Sequence, residues 1–164
     1  MSALPDFEAK ICAPESLSEQ LRMLPRPLCF TNGCFDLLHR GHVTYLAQAR
    51  ALGASLLVAV NSDASVRNLN KGAGRPVTPL QDRMAILAAL ESVSLVTWFE
   101  DATPLKLILE TRPGVLIKGG DWQIENIVGA KEVRDWGGTV YALPFMHQRS
   151  TTSLLTKICA SLCQ

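Results

Sequence analysis

His39 and His42 stand three residues apart at the end of the stretch Thr31, Asn32, Gly33, Cys34, Phe35, Asp36, Leu37, Leu38, His39, Arg40, Gly41, His42. A short apolar run precedes this stretch, and a segment of helical periodicity follows it. On the first turn of a helix, imidazoles at that spacing face the same side and can donate hydrogen bonds to a single polyphosphate. Gly33 is expected to let the backbone turn tightly at the strand end, and Gly41 to leave room between the two histidines. The free N–H groups and positive dipole end of the following helix suit an anionic phosphate. The chemistry this pattern serves is phosphoryl or nucleotidyl transfer, in which positioning and charge stabilisation do the work. Two blander readings stand beside it: a satisfied surface pair of histidines, and zinc ligation with Cys34 or Cys29. The strand, glycine and helix context weighs against the first reading. The lack of a short paired cysteine spacing weighs against the second.

Other candidates lie further along the chain. Lys71, beside Gly72 and Gly74, supplies a full positive charge to the site or is a solvated loop lysine. Asp36 caps its own turn, or it orients Lys71 or the shell of a metal; the residue types leave both open. Lys118, Gly119, Gly120 and Asp121 follow the fourth apolar run, where Asp121 is a turn residue, an acceptor ligand, or both. Ser150, Thr151 and Thr152 open the last helix as a plain cap or as phosphate ligands. Trp98, Trp122 and Trp136 read as core or subunit-contact residues, with Trp122 the one that would line an acceptor pocket.

The elements that must position these groups follow from periodicity. Apolar runs at Leu28 to Thr31, Ser55 to Asn61, Val93 to Phe99, Gly114 to Lys118 and Thr139 to Pro144 read as strands. Between them, Val43 to Leu52 has helical spacing and stops at Gly53. Pro79 to Leu90 follows Thr78 as N-cap with Pro79 at N1, and a third helix opens at Thr103 and Pro104 and runs to about Glu110. A last helix runs from about Ser150 to Leu162. Near-continuous apolar strands alternating with helices predict a doubly wound, Rossmann-like α/β domain, a parallel five-stranded sheet covered on both faces. The domain that carries this chemistry is expected over residues 26–164. Residues 1–25, with a short helical stretch from Ser16 to Leu24, read as an appendage that either packs on that domain or stays mobile.

Composition bounds the partners. The chain has 164 residues, 48% of them hydrophobic, enough for one ordinary core. Sixteen basic and fifteen acidic side chains leave a formal charge of +1, so no global field draws the chain to nucleic acid or a membrane surface. Five scattered cysteines do not form a secreted disulfide framework, no signal peptide opens the chain, and no apolar window is long enough to span a bilayer. A reducing, cytoplasmic setting is expected.

The paired histidines with glycine between them, preceded by Gly33, Cys34, Phe35 and Asp36, resemble the signature of the cytidylyltransferase-like nucleotidyltransferases. Within that family the chain is most similar, from about Leu28 to Ile158, to adenylyltransferases acting on heptose 1-phosphate. The closer likeness rests on four stretches: Val60 to Val66, Gly74 to Val77 continuing to Arg83, Lys118 to Asp121, and Ser150 to Thr152. The resemblance implies transfer of AMP from ATP, with Mg²⁺, to D-glycero-β-D-manno-heptose 1-phosphate, giving ADP-heptose and pyrophosphate for lipopolysaccharide core synthesis. A sugar kinase domain often fused to such relatives has no counterpart in this sequence. The resemblance makes His39, His42 and Lys71 catalytic and assigns the nucleotide to Thr31, Asn32, Gly33, Cys34, Phe35, Gly41, Arg149, Ser150, Thr151 and Thr152. It assigns the acceptor to Asp36, Lys118, Gly119 and Asp121, and it gives the metal no direct protein ligand. Many relatives place an arginine where this chain has Phe145, and Arg149 is the candidate substitute. A homodimer is expected, with Pro79 to Leu90 as its candidate interface. The alternatives are a cytidylyl- or adenylyltransferase for another phosphorylated polyol, a non-catalytic nucleotide sensor, and, more remotely, an aminoacyl-tRNA synthetase fragment.

Overall fold

A computed structural model of the chain describes residues 5–69, 72, 74–147 and 149–162. Five strands form one parallel sheet in the order β3-β2-β1-β4-β5: β1 (Leu28–Gly33), β2 (Ser55–Asn61), β3 (Leu95–Phe99), β4 (Val115–Gly119) and β5 (Thr139–Leu143). Leu28 pairs with Ser55 on one side of β1, and Cys29 pairs with Val115 on the other. The chain therefore reverses direction across the sheet between β1 and β4, the switch point at which doubly wound sheets open a crevice beyond their carboxyl ends.

Alternate side chains of the inner strands enter two separate cores, which is why their sequence reads as continuous apolar runs. Leu28, Phe30, Leu57, Ala59 and Leu116 pack with Leu17 and Leu21 of α1 (Leu17–Met23), with Leu107 and Ile108 of α5 (Leu105–Thr111), and with Val133 of α6 (Ala130–Asp135). Cys29, Leu56, Val58, Val60 and Ile117 pack on the opposite face. Their partners are Tyr45, Leu46 and Ala49 of α2 (Arg40–Arg50) and Met84, Leu87 and Ala88 of α4 (Leu80–Ala88). A short α3 (Asp63–Asn68) follows β2, and α7 (Thr151–Leu162) follows β5. No described helix is long and apolar enough to cross a membrane.

Residues 5–25 pack against the sheet. Ile11 bridges Val96 in parallel, the Cys12 N–H donates to the Val96 carbonyl at 2.9 Å, and Lys10 Nζ reaches the Leu90 carbonyl at 3.2 Å. The segment therefore covers the open edge of β3, while Leu17 and Leu21 plug the core beneath it.

Two local expectations need correction. Thr78 does not cap α4: Pro79 occupies the N-cap position without a side-chain bond, and the Thr78 N–H is taken by Asp36 at 2.9 Å. Gly33 is not the tight turn. The left-handed residue is Phe35, at φ 46°, a conformation uncommon for a bulky side chain. Gly33 is needed for space, because a Cβ there would lie 3.0 Å from the Phe35 ring.

Candidate active site

β1 delivers the histidine stretch to the switch point, and the extended backbone of His39 (φ −141°, ψ 168°) starts α2 without a side-chain cap. The first N–H groups of that helix are thus left without a side-chain acceptor. The His39 and His42 rings stack with centroids 3.8 Å apart and planes 17° from parallel. A Cβ on Gly41 would sit 3.0 Å from His39 Nδ1 and 3.1 Å from the His147 carbonyl, so any larger residue would have to push one of them back. Burial pushes the His42 imidazole down to about 4, helped by the neighbouring His39, and burial also lowers His39. Both Nδ1 atoms are buried and have no hydrogen-bond partner among the described residues. The free protein thus holds two neutral, under-bonded imidazoles, a state that an anionic hydrogen-bonding ligand relieves.

The cleft beside them, about 280 Å³, is walled by Asn32 through Asp36, by His42 and Arg75, by Lys118 and Gly119, and by Trp122, Phe145 and Thr151. The order of the sheet explains the grouping: β1 and β4 are neighbours, so the loops that follow them face each other. Lys118 Nζ lies 3.0 Å from Asn32 Oδ1 and 5.7 Å from the Trp122 ring centroid, joining the two loops. Phe145 folds back over them, edge-on to His42 and to Tyr45. A Cβ on Gly119 would approach its ring to 2.8 Å, so that glycine admits the phenyl group.

Other expected site residues sit elsewhere. Thr31 is fully buried behind the wall, its hydroxyl 2.6 Å from that of Tyr45, which also donates to the Ile117 carbonyl. Asp121 is exposed beside the cleft, and its neighbour Trp122 forms the wall. Ser150 and Ser153 exchange bonds, Ser153 N–H to Ser150 Oγ at 3.1 Å and Ser150 N–H to Ser153 Oγ at 3.3 Å, a reciprocal cap. Thr151 reaches the cleft, Thr152 is exposed, and Arg149 is exposed outside the wall. Lys71 lies outside the described residues. Trp136 packs under Arg112 and donates to the Pro113 carbonyl, a structural use.

Asp36 turns its carboxylate to the segment at 75–78 rather than to its own turn. Its Oδ1 accepts the N–H groups of Val77 and Thr78 at 2.8 and 2.9 Å, and its Oδ2 pairs with Arg75 Nε. Burial raises this carboxyl, but the Thr78 and Val77 N–H groups and Arg75 together hold it below its ordinary range. Arg83 was not singled out as a site residue from the sequence. Its guanidinium is fully buried and reaches Cys34 O at 2.6 Å, Thr78 O at 2.9 Å and Asp63 Oδ1 at 2.6 Å. Asp36 and Arg83 therefore tie the β1 loop to α3 and to the segment at 75–78. One signal was available: Arg83 lies three residues after Leu80 and four before Leu87, which puts it on the apolar face of α4.

A cytidylyltransferase-like family model matches residues 30–154, from β1 into α7. This chain belongs to that family. The cytidylyltransferase-like match is accompanied by 53% identity over 154 residues to the D-beta-D-heptose 1-phosphate adenylyltransferase of Bordetella bronchiseptica, covering 93% of this chain and 95% of that protein. The bifunctional protein HldE of Hahella chejuensis is 54% identical over 131 residues, 80% of this chain but 27% of that longer protein. Among solved structures, a lipopolysaccharide core biosynthesis protein from Thermoplasma volcanium superposes with TM-score 0.59 at 26% identity, over 74% of this chain and 98% of that one. A pantoate-beta-alanine ligase from Francisella tularensis shares the fold at TM-score 0.59 and 17% identity, over 86% of this chain and 68% of that one.

Proposed function

We propose that this cytidylyltransferase-like chain transfers AMP from ATP to D-glycero-β-D-manno-heptose 1-phosphate, releasing pyrophosphate and forming ADP-heptose for lipopolysaccharide core synthesis. The observation that carries the reading is 53% identity, along nearly the whole chain, to a protein named for heptose 1-phosphate adenylylation. The stacked neutral histidines at the start of α2, with His42 in the wall of a cleft at the switch point and His39 stacked behind it, support it.

In this reaction an oxygen of the acceptor phosphate attacks the α-phosphorus of ATP. The bond to the bridging oxygen of the β-phosphate breaks, and its electron pair leaves with pyrophosphate. No covalent enzyme intermediate forms, and no proton must be abstracted from an already anionic nucleophile. The residues orient the two phosphates and stabilise charge on the leaving group. His39, His42 and the first turn of α2 hold the triphosphate, with Asn32 to Phe35 as its floor and Gly41 keeping the histidines apart. The start of α7, Ser150 to Thr152, takes its outer phosphates, and Lys71 and Arg149 add charge. Lys118, Gly119 and Asp121 face the acceptor. Thr31 acts from behind, through Tyr45, by holding β1 to α2.

Mg²⁺ enters with ATP as part of the substrate. The buried carboxylate in the cleft wall, Asp36, already accepts three donors, so its bonding fits a metal carried by the nucleotide better than one fixed by the protein. A reaction that consumes ATP belongs in the cytosol. The reading includes a homodimer built on α4, which exposes Ile86 on its outer face; light scattering at the mass of one chain would remove it.

The test is pyrophosphate release from ATP or CTP with this heptose 1-phosphate and Mg²⁺, in the wild type and in His42→Ala. The expected outcome is ATP-selective release that falls at least 100-fold in the variant, the loss of a phosphate-stabilising donor. Release with CTP alone would discard the nucleotide, and no release with any pair would discard the enzyme.

A further inference from the structure

Arg75 stands in the cleft wall with its side chain 10% exposed, paired through Nε with an Asp36 carboxylate that is itself 1% exposed. A guanidinium carries five N–H donors in a rigid fork. Asp36 engages only the Nε–H, and among the described residues the two terminal nitrogens of Arg75 have no hydrogen-bond partner. Asp36 spends its other oxygen on Val77 and Thr78. The carboxylate thus sets the direction of the fork without consuming it. Those two nitrogens are left to the cleft that Arg75 lines, and a fork of this shape matches a phosphate taken through two oxygens.

The order of the sheet sets this fork apart from the start of α7. Arg75 belongs to the segment after α3, on the β2 side of β1. Phe145 and Thr151 belong to the chain after β5, on the far side of β4. The triphosphate ligands at the start of α7 and the fork of Arg75 therefore enter the cleft from opposite sides of the switch point. Two anions must meet there for one phosphate to attack the other, and each needs a cation of its own.

We infer that Arg75 is the receptor for the phosphate of the acceptor, held in register by Asp36, so that one fork both binds the sugar phosphate and aims its attacking oxygen. This rests on the adenylyltransferase reading given above. Asp36 is then a positioning residue that acts on the acceptor through Arg75.

Steady-state kinetics of Arg75→Gln, Arg75→Lys and Asp36→Asn test it, with ATP and heptose 1-phosphate varied separately. Arg75→Gln should raise KM for the sugar phosphate about tenfold or more, as expected for the loss of a charge-assisted pair, and leave KM for ATP within about twofold. Arg75→Lys should recover only part of this, because a point charge cannot fork. Asp36→Asn keeps an oxygen for Val77 and Thr78 but loses the charge facing Arg75, so it should raise the same KM. Equal rises in both KM values, a rise for ATP alone, or a change in kcat only would overturn the inference. Should Arg75→Gln fail to fold, the same split is read from Arg75→Lys.

If the wild type turns over no sugar phosphate, it is the adenylyltransferase reading that fails. The inference is then read from calorimetric titration with inorganic phosphate in the presence of saturating α,β-methylene-ATP. Binding weakened about tenfold in Arg75→Gln supports it, and equal binding, or none in either protein, overturns it.

Discussion

A histidine that meets phosphate is usually valued for its charge, yet in the free protein His42 rests uncharged, pushed down to about 4 from an ordinary value of 6.5 by burial and by its neighbour. Above pH 6.5 both the folded and the unfolded chain hold it neutral, so it adds nothing to the pH dependence of stability. As pH falls below 6.5 the unfolded chain takes up a proton that the folded protein refuses until about pH 4. Stability is therefore lost across that window and levels off beneath it. The loss from this group is on the order of 2 to 3 kcal/mol, and thermal melts between pH 7 and 4 should show a shallower decline in His42→Gln than in the wild type. Parallel declines would mean that His42 is not the group responsible. Which residues would matter was legible where type and spacing suffice: two histidines at helical spacing, and a glycine between them. Phe35 in a left-handed turn was not legible, because a glycine two residues earlier is the usual bearer of such a turn. Nor was the bonding of Asp36, whose partners lie some 40 residues on.

The strands were readable to within two residues and the long helices to within three, because burial on both faces leaves near-continuous apolar runs. Short α3 and α6, of six residues each, were not; a turn and a half displays no period. The N-terminal segment gave away its helix, expected over Ser16 to Leu24 and found at Leu17–Met23, but not its docking, since its contacts are made by a backbone bridge at Ile11 and by two leucines, Leu17 and Leu21. Its packing carries a prediction. Removing residues 1–13 frees the edge of β3, and the shortened protein should self-associate on warming, as read by light scattering. Removing residues 1–24 also uncovers the core at Leu17 and Leu21, each worth roughly 1.5 to 3 kcal/mol, and should lower Tm by many degrees. An unchanged Tm in the longer deletion would show that the segment adds no stability.

Across the whole molecule, the reversal between β1 and β4 concentrates the chemistry at one end of the sheet, while the opposite end and both flanking cores serve stability. That division lets a likeness be read from a few loops: the family and the doubly wound fold follow from residues 30–154, whereas the electrostatic state of the cleft depends on burial, which only the packed structure displays. The stacked, neutral imidazole pair has a consequence for traffic through the cleft. A polyphosphate arriving beside His39 and His42 supplies the negative charge they lack, raises their affinity for protons, and so should draw protons from solvent as it docks. The heat of ATP binding near pH 6 should then vary with the ionisation heat of the buffer, and much less so in His42→Gln; buffer-independent heat would refute it. If the cleft takes ATP as proposed, it would breathe protons with its nucleotide, taking them in when loaded and returning them when emptied, so that mild acidity would favour the loaded form.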